Sequence, residues 1–316
     1  MHSFQGIYLL LVLFGNFLAR GASHGLLVDE RDLIGLGNHI KEEILNPGGT
    51  TAADKKRNLK LNARREGNQT LFNNGRILGG AAVTAGDHSY NVLVKTLPFS
   101  GSIIYCGGAL LSSRWVLTAA QCVAGSAYIQ VYAGAVSAPE TSGVMSYARE
   151  IVHPKYVRNF VLNDIALLKV IWPFVPRATI STIRLSTASV AAVENAQFMT
   201  FGYGPADNTA TLPDPALLQY VEMANIKKTT CLSITARFFV AYPKNTGCLS
   251  TAIATKGFCY GDIGGPVVYF DEADGTTKLY GINSQFLGCP SQYLSSYTLV
   301  GPYLNWIKLM TKQPFI

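Results

Sequence analysis

Cysteine is absent from the first hundred residues of this 316-residue chain, and all six cysteines lie between positions 106 and 289. None of them forms a Cys-x-x-Cys pair, and no Cys/His cluster has the spacing of metal ligands. We therefore predict no metal ion and no organic cofactor. Six cysteines without such a motif favour disulfide bonds in an oxidising compartment, with fifteen pairings still open.

Long hydrophobic runs are scarce as well. The run at residues 2–18 is followed by small residues from Ala19 onward, as a signal-peptidase site requires. We predict a signal peptide over residues 1–22 and a secreted, extracellular protein. An uncleaved membrane anchor is the competing interpretation, for which the run is short, and no later stretch reaches transmembrane length.

Charged residues make up only 14% of the chain and hydrophobic residues 48%, which is typical of a globular protein. The formal net charge is +7, and residues 77–316 hold sixteen Lys/Arg against twelve Asp/Glu. These charges are spread without a basic run interleaved with aromatics. Nucleic-acid binding is therefore not predicted, whereas weak attraction to acidic surfaces or glycans stays open.

Residues 23–76 are polar, contain no cysteine and are rich in Asn, Gly, Lys and Arg. Some helical periodicity between Leu26 and Leu45 ends at a Pro-Gly-Gly run. We predict a mostly disordered pro-segment here. Its single glycosylation sequon, at Asn68, predicts a glycoprotein.

From residue 77 onward, short apolar runs recur between Gly, Pro and Ser breaks. Examples are residues 91–94, 128–132, 165–170 and 267–270. Many short strands without a long amphipathic helix favour a β-barrel or a β-sandwich, and the residues alone do not decide between them.

Three motifs carry the strongest functional signal. Residues 117–122 read Leu-Thr-Ala-Ala-Gln-Cys, residues 164–169 read Asp-Ile-Ala-Leu-Leu-Lys, and residues 261–266 read Gly-Asp-Ile-Gly-Gly-Pro. In order and spacing they resemble the motifs of chymotrypsin/trypsin-like serine proteases, over residues 77 to about 312. The resemblance implies an all-β domain at 77–316, built from two six-stranded antiparallel β-barrels with a C-terminal α-helix that starts near residues 303–307.

The resemblance also exposes two replacements. Gln121 stands where the family has its general-base histidine and Ile263 where it has its nucleophilic serine, while Asp164 matches the family. Isoleucine offers no heteroatom for attack, and a carboxamide cannot relay protons. Backbone N–H groups of Gly261 and Ile263 would form the oxyanion hole. We predict from this degenerate triad that the chain has no competent catalytic residue and is not an enzyme, that is, a pseudoenzyme.

An activation site is implied at Arg76-Ile77-Leu78-Gly79-Gly80, which resembles the family's cleavage sequence. Cleavage after Arg76 would free an ammonium group at Ile77, and the carboxylate of Asp262 would be its partner. Because an unpaired buried carboxylate is costly, Asp262 either pairs with that ammonium or turns outward. The resemblance further implies three disulfides: Cys106–Cys122, Cys231–Cys248 and Cys259–Cys289.

The specificity pocket departs from the trypsin pattern. Gly257 falls where trypsin-like enzymes keep the aspartate that receives a basic side chain. Gln285 replaces a tryptophan of the pocket wall, and Phe286 stands at the pocket mouth where the family has glycine. Ser284 aligns with a serine that hydrogen-bonds the buried aspartate. A loop shift that moves Phe286 aside is the alternative.

The function implied is that of a secreted serine protease homologue of arthropod type, without a clip domain. It would act as a binding partner, cofactor or modulator in an extracellular proteolytic cascade of immune or reproductive fluid. Its partners would be a protease, a substrate or an inhibitor. A residually active serine-type endopeptidase and a surface- or glycan-binding module remain as alternatives, and the oligomeric state is not predicted.

Overall fold

The structure is a computed structural model, and it describes residues 80–99, 101–138, 143–194, 196–204, 216–237, 243–250, 257–286 and 295–316. All of them belong to one compact unit, Thr70–Ile316. The predicted signal peptide, pro-segment, glycosylation site at Asn68 and cleavage site at Arg76 lie outside the described residues.

Strands dominate the described part of the chain, and three helices interrupt them there. The helices are α1 (Ala120–Val123), α2 (Lys228–Arg237) and α3 (Leu304–Thr311). The strands are, in chain order, β1 (Ala81–Ala82), β2 (Asn91–Pro98), β3 (Ile104–Ser112), β4 (Trp115–Thr118), β5 (Ser126–Ala133), β6 (Ser137–Ala138), β7 (Val144–Val152), β8 (Ala166–Val170), β9 (Arg184–Leu185), β10 (Gln197–Gly202), β11 (Ala216–Leu217), β12 (Gln219–Ile226), β13 (Thr246–Ser250), β14 (Pro266–Asp271), β15 (Thr276–Phe286) and β16 (Ser295–Leu299).

The first barrel closes through six antiparallel strands in the order β2-β3-β4-β8-β7-β5. Side chains alternate between its two faces, as a period of two residues requires. On the inner face, paired residues of β2 and β5 are buried, whereas their neighbours Lys95 and Gln130 face outward. The inward pairs are Val92↔Ala133, Val94↔Val131 and Thr96↔Ile129.

The second barrel follows the order β12-β10-β14-β15-β16-β13, and β13 pairs back with β12 to close it. β1 and β9 extend this sheet at β12 and β15. A core of buried aromatic and aliphatic side chains, including Phe198 and Tyr297, fills the barrel. The predicted fold class, two six-stranded antiparallel β-barrels with a C-terminal α-helix, is confirmed.

α3 follows a 3-10 turn at Gly301–Tyr303 and buries Ile307 and Thr311. α2 is a helix that the sequence pattern does not predict, because its residues form no apolar stripe. It packs through Cys231 and Ile234, which lie three residues apart and contact Cys248 on β13. No helix within the described ranges combines the length and the apolar character that crossing a bilayer demands.

Candidate functional site

Three segments of the chain meet at the candidate site. α1 carries Gln121 at the end of β4, Asp164 lies two residues before β8, and Ile263 belongs to the turn that leads into β14. The strand order therefore brings together the three motifs of the sequence, which are more than 140 residues apart at their extremes. Ser284, near the end of β15, completes the group.

Asp164 is almost fully buried, and its carboxylate accepts hydrogen bonds on both oxygens. Oδ1 accepts from the backbone N–H of Gln121 at 2.8 Å, and Oδ2 accepts from Gln121 Nε2 at 2.5 Å and from Ser284 Oγ at 2.6 Å. Burial raises the pKa of Asp164 above its usual range, and the hydrogen bonds from Ser284 and Gln121 oppose that rise. The predicted contact between Ser284 and the buried aspartate is present.

The side chain of Gln121 is fixed by two acceptors. Nε2 donates to Asp164 Oδ2 and, at 2.8 Å, to the backbone oxygen of Ser284. The side-chain amide of Gln121 thus donates hydrogen bonds to two acceptors that a buried site must satisfy. It has no proton to exchange near neutral pH, so it takes part in this network as a positioning group and not as a base.

Ile263 is half-buried and packs against the main hydrophobic core. Its backbone oxygen accepts from Gly107 N at 2.8 Å, which joins the turn to β3. Gly261 and Gly264 take left-handed conformations, with φ of +84° and +82°. Glycine is favoured at both positions because it adopts this conformation without steric cost. The two predicted oxyanion-hole positions, Gly261 and Ile263, lie within this turn.

Asp262 points away from solvent and has no exposed surface. Oδ1 accepts from Gly204 N at 2.6 Å and Oδ2 from Cys259 N at 2.8 Å. Burial raises the pKa of Asp262 to about 7, although both hydrogen bonds act to lower it. Of the two orientations considered from the sequence, the structure therefore has the inward one, while Ile77 lies outside the described part of the chain.

Phe286 bridges the two segments that the resemblance assigns to the pocket walls. Its ring lies edge-on to the ring of Tyr260, with centroids 4.9 Å apart, and to that of the fully buried Phe258 at 6.1 Å. The structure thus keeps Phe286 against the opposite wall instead of moving it aside. Gly257 is buried beside Phe258, and the backbone oxygen of Gln285 accepts from Ser296 Oγ.

Two of the implied disulfides lie in the described residues: Cys106–Cys122 joins β3 to α1, and Cys231–Cys248 joins α2 to β13. Cys259 is also disulfide-bonded, and its predicted partner Cys289 lies outside the described residues. Among the residues that the structure describes, no group of three or more His, Cys, Asp and Glu could hold a metal ion.

Asn283 is a site residue that the sequence reasoning missed. Its Nδ2 donates to the backbone oxygen of Asp262 at 3.1 Å, and its Oδ1 accepts from Thr200 Oγ1 at 2.7 Å. Asn283 therefore ties the turn to β10. The available signal was a polar residue that directly follows the run Leu279–Ile282 and directly precedes Ser284.

Comparison with known proteins bears on the whole domain. A family model described as Trypsin matches residues 77–307. The trypsin of Simulium vittatum is 32% identical over 219 residues, covering 68% of this chain and 85% of that protein. Brachyurin of Leptuca pugilator is 30% identical over 219 residues, covering 67% and 90%. A solved structure described as HL collagenase is 28% identical with a TM-score of 0.65, covering 76% of this chain and all of that one.

One prediction needs correction after this comparison. The sequence predicts that the chain is not an enzyme, whereas its relatives are named trypsin, brachyurin and collagenase, which are names of proteases. The prediction is wrong on this comparison. The prediction rested on the identities of Gln121 and Ile263, which bear on a single reaction mechanism. These two residues therefore cannot exclude catalysis for the protein as a whole.

Proposed function

Because this chain belongs to the trypsin family, we propose that it acts outside the cell in a proteolytic cascade, where it binds another protein of that cascade and modulates it. The partner is a protease, a substrate of one, or an inhibitor. We place the chain with arthropod-type homologues that lack a clip domain, and immune and reproductive fluids are the settings in which to search.

The network around Asp164 is the observation that carries this proposal. Gln121 Nε2 is held by Asp164 and by the backbone oxygen of Ser284, at 2.5 and 2.8 Å. The hydrocarbon side chain of Ile263 packs against the main hydrophobic core. These groups stabilise the junction of the two barrels, which supports a scaffold that presents surfaces to a partner.

Secretion is part of the proposal and has two supports. The sequence begins with a short apolar run followed by small residues. The described disulfides Cys106–Cys122 and Cys231–Cys248 are stable in oxidising compartments and rare in the cytosol. We include in the proposal a cleavage after Arg76 that frees the Ile77 ammonium as a partner for Asp262.

Affinity capture with chemical crosslinking from the native extracellular fluid tests the proposal. The bait is the full-length chain, and the control bait is the same chain reduced and alkylated, which keeps the sequence but loses the disulfides. We expect a protease, a protease substrate or an inhibitor on the folded bait only, and a changed hydrolysis rate when the purified partner and the chain are mixed. Equal recovery on both baits would contradict the proposal.

Hydrolysis of peptide or ester bonds is a second candidate function, favoured by the protease names of the relatives. The turn containing Gly261 and Ile263 supports it, because an oxyanion hole and substrate binding alone leave roughly 10³–10⁴-fold acceleration over water in a disabled triad.

Turnover of a peptide ester by the purified chain tests this second function. The Gln121→His/Ile263→Ser double variant is the reference, since it supplies a base and a hydroxyl at the matching positions. We expect the double variant to be faster by roughly 10³-fold or more. Equal rates, with both proteins free of contaminating hydrolases, would show that these two positions are not the reaction centre.

A further inference from the structure

We propose that His88 is a pH-sensitive latch: at neutral pH it holds residues 80–88 against the second barrel, and in acid it releases them. We call residues 80–88 the strap. The strap contains β1, which extends the second barrel at β12, and it ends shortly before the chain enters the first barrel at β2. This inference goes beyond the proposed function, because it concerns how the chain holds its own strap.

Few backbone contacts hold the strap on the second barrel. β1 has only two residues, both exposed, and their register partners on β12 are Tyr220 and Gln219. The next amide, Val83 N, donates to the backbone oxygen of Leu218 at 2.9 Å. Segments with few buried contacts open locally most readily, so the packing at the end of the strap matters for its stability.

The imidazole of His88 lies in a cluster of aromatic rings from both barrels. Its centroid is 4.8 Å from that of Phe201 on β10 and 5.9 Å from that of Tyr220 on β12, and these two residues are direct cross-strand partners. The ring of Tyr90, which directly precedes β2, lies 5.9 Å from His88 and 6.0 Å from Phe201. His88 is therefore the ring through which the strap packs on both barrels.

The turn that carries His88 fixes the position of its ring. The φ of His88 is +46°, a left-handed conformation that is uncommon for a residue with a Cβ. Its backbone oxygen accepts from the backbone N–H of buried Asn91 at 3.0 Å and from Asn91 Nδ2 at 2.8 Å. Such backbone conformations persist only where their surroundings over-determine them, and they are concentrated at functional sites and switch regions.

The hydroxyl group of Tyr90 favours the neutral imidazole. Tyr90 Oη lies 3.0 Å from His88 Nδ1, and it has no other hydrogen-bond partner within the described residues. Burial raises the pKa of Tyr90, so the hydroxyl keeps its proton and donates it to Nδ1, while the neutral ring carries its own proton on Nε2. Protonation of His88 turns Nδ1 into a donor, and the hydroxyl proton of buried Tyr90 then loses its acceptor.

Burial also opposes the charged form of His88. It lowers the pKa of the imidazole, and the carboxylate of the adjacent Asp87 offsets only part of that effect. On β12 the carboxyl group on the same face is that of Glu222, which is exposed and two residues from Tyr220. The rings that pack on the imidazole are all uncharged: Phe201, Tyr220 and Tyr90. The closed strap therefore retains the neutral imidazole.

The direction of the pH dependence follows from this lowered pKa. In the open strap the imidazole regains its ordinary pKa of 6.5, whereas in the closed strap its pKa is lower. The open strap thus binds the proton more tightly than the closed strap does. The stabilisation by His88 is fully present above about pH 6.5 and is lost as the pH falls through the lowered pKa.

Hydrogen exchange of the full-length chain, measured by mass spectrometry at about pH 7.5 and about pH 5, tests the proposal. The reporter segment is the strap, and the reference segment is β8 in the first barrel. After correction for the intrinsic pH dependence of exchange, we expect the opening of the strap to increase about threefold or more in acid. Opening at β8 should not increase. An opening of the strap that stays constant or decreases in acid would overturn the proposal.

His88→Asn removes the titrating ring and keeps a residue type that tolerates the left-handed backbone. Opening of the strap should then be the same at both pH values. His153→Asn is the matched control, because it removes the other histidine of the described residues, and it should keep the wild-type pH dependence. Equal pH dependence in His88→Asn and the wild type, or its loss in His153→Asn, would contradict the latch.

Nitrogen NMR of the histidine side chains gives a second measurement that needs no substitution at position 88. We expect neutral His88 to be the tautomer with its proton on Nε2. Tyr90→Phe keeps the aromatic ring and removes the donor to Nδ1, so His88 should titrate at a higher pH in this variant than in the wild type. A proton on Nδ1 of the neutral ring, or an unchanged titration in Tyr90→Phe, would refute the role given to Tyr90 and with it the latch.

Discussion

Gln121 shows how a buried carboxylate can be satisfied by a neutral side chain. Asp164 needs donors because desolvation disfavours its ionised form, and Gln121 offers both its backbone N–H and its side-chain amide. Hydrogen bonds to a charged group contribute more to stability than those between neutral groups. At the scale of the residue, the main contribution of Gln121 is therefore to the stability of the folded protein.

Gln121→Ala should lower the free energy of unfolding by about 2–3 kcal/mol, since it removes two side-chain hydrogen bonds, one of them to a buried charge. Urea denaturation at pH 7 measures the change. Gln197→Ala is the control, an exposed glutamine on β10, and should change stability by less than about 0.5 kcal/mol. Similar small effects of both substitutions would show that the amide does not stabilise Asp164.

Asp262 makes the uncleaved chain less stable as pH rises. Folding raises the pKa of this carboxyl from 3.8 to about 7. Between those values the folded state binds the proton more tightly than the unfolded state does. The contribution of Asp262 is therefore fully present below about pH 4 and lost as pH rises through about 7, on the order of 4 kcal/mol.

Asp262→Asn should flatten this decline in the free energy of unfolding between pH 4 and pH 7.5, measured by urea denaturation of the uncleaved chain. Any constant loss from the changed hydrogen bonds cancels in the difference between the two pH values. Glu222→Gln, at an exposed carboxyl, is the control and should keep the wild-type profile. An unchanged slope in Asp262→Asn would contradict the assignment.

The turn at residues 261–265 is the element that joins the two barrels at the site. Gly264 comes within reach of β3 and β4: a Cβ there would lie 2.4 Å from Thr118 Oγ1 and 2.5 Å from the backbone oxygen of Gly107. Thr118 Oγ1 itself donates to that oxygen at 2.8 Å. The glycine is required both for its backbone conformation and for this close approach.

Gly264→Ala and Gly275→Ala separate these two requirements. Both glycines have a left-handed backbone conformation, with φ of +82° and +69°. However, no atom lies within 4 Å of a Cβ placed at Gly275. The conformational cost is about 1–2 kcal/mol at either position. Overpacking should add about 1–3 kcal/mol at Gly264 alone, measured by urea denaturation. Equal costs would mean that the turn can move away from β3.

The sequence predicts the strands and the fold class of this molecule, but not the details of its site, for physical reasons. Short apolar runs between turn residues predict the strands. The resemblance to the protease family, carried by the ordered motifs, predicts that these strands close into two barrels. The inward orientation of Asp262 was not predictable, because it depends on N–H groups of Gly204 and Cys259 from separate segments. The packing of Phe286 on Tyr260 depends likewise on two separate segments, the end of β15 and the loop before β14. α2 has no apolar stripe and is held by tertiary contacts instead.

At the scale of the whole molecule, the two barrels provide a rigid scaffold with two regions of interest. One is the buried junction around Asp164, where hydrogen bonds fix Gln121 and Ser284. The other is the exposed surface of the first barrel around Tyr128. We therefore expect surface substitutions to change the modulation of a cascade, and substitutions at the junction to change stability.

Depletion and add-back in the native extracellular fluid test the proposed role most directly. The chain is removed with an antibody, the peptidase rate of the fluid on its own protein substrates is measured, and purified full-length chain is returned. We expect depletion to change this rate and the folded wild-type chain to restore it, whereas the reduced and alkylated chain should not restore it. An unchanged rate after complete depletion would contradict it.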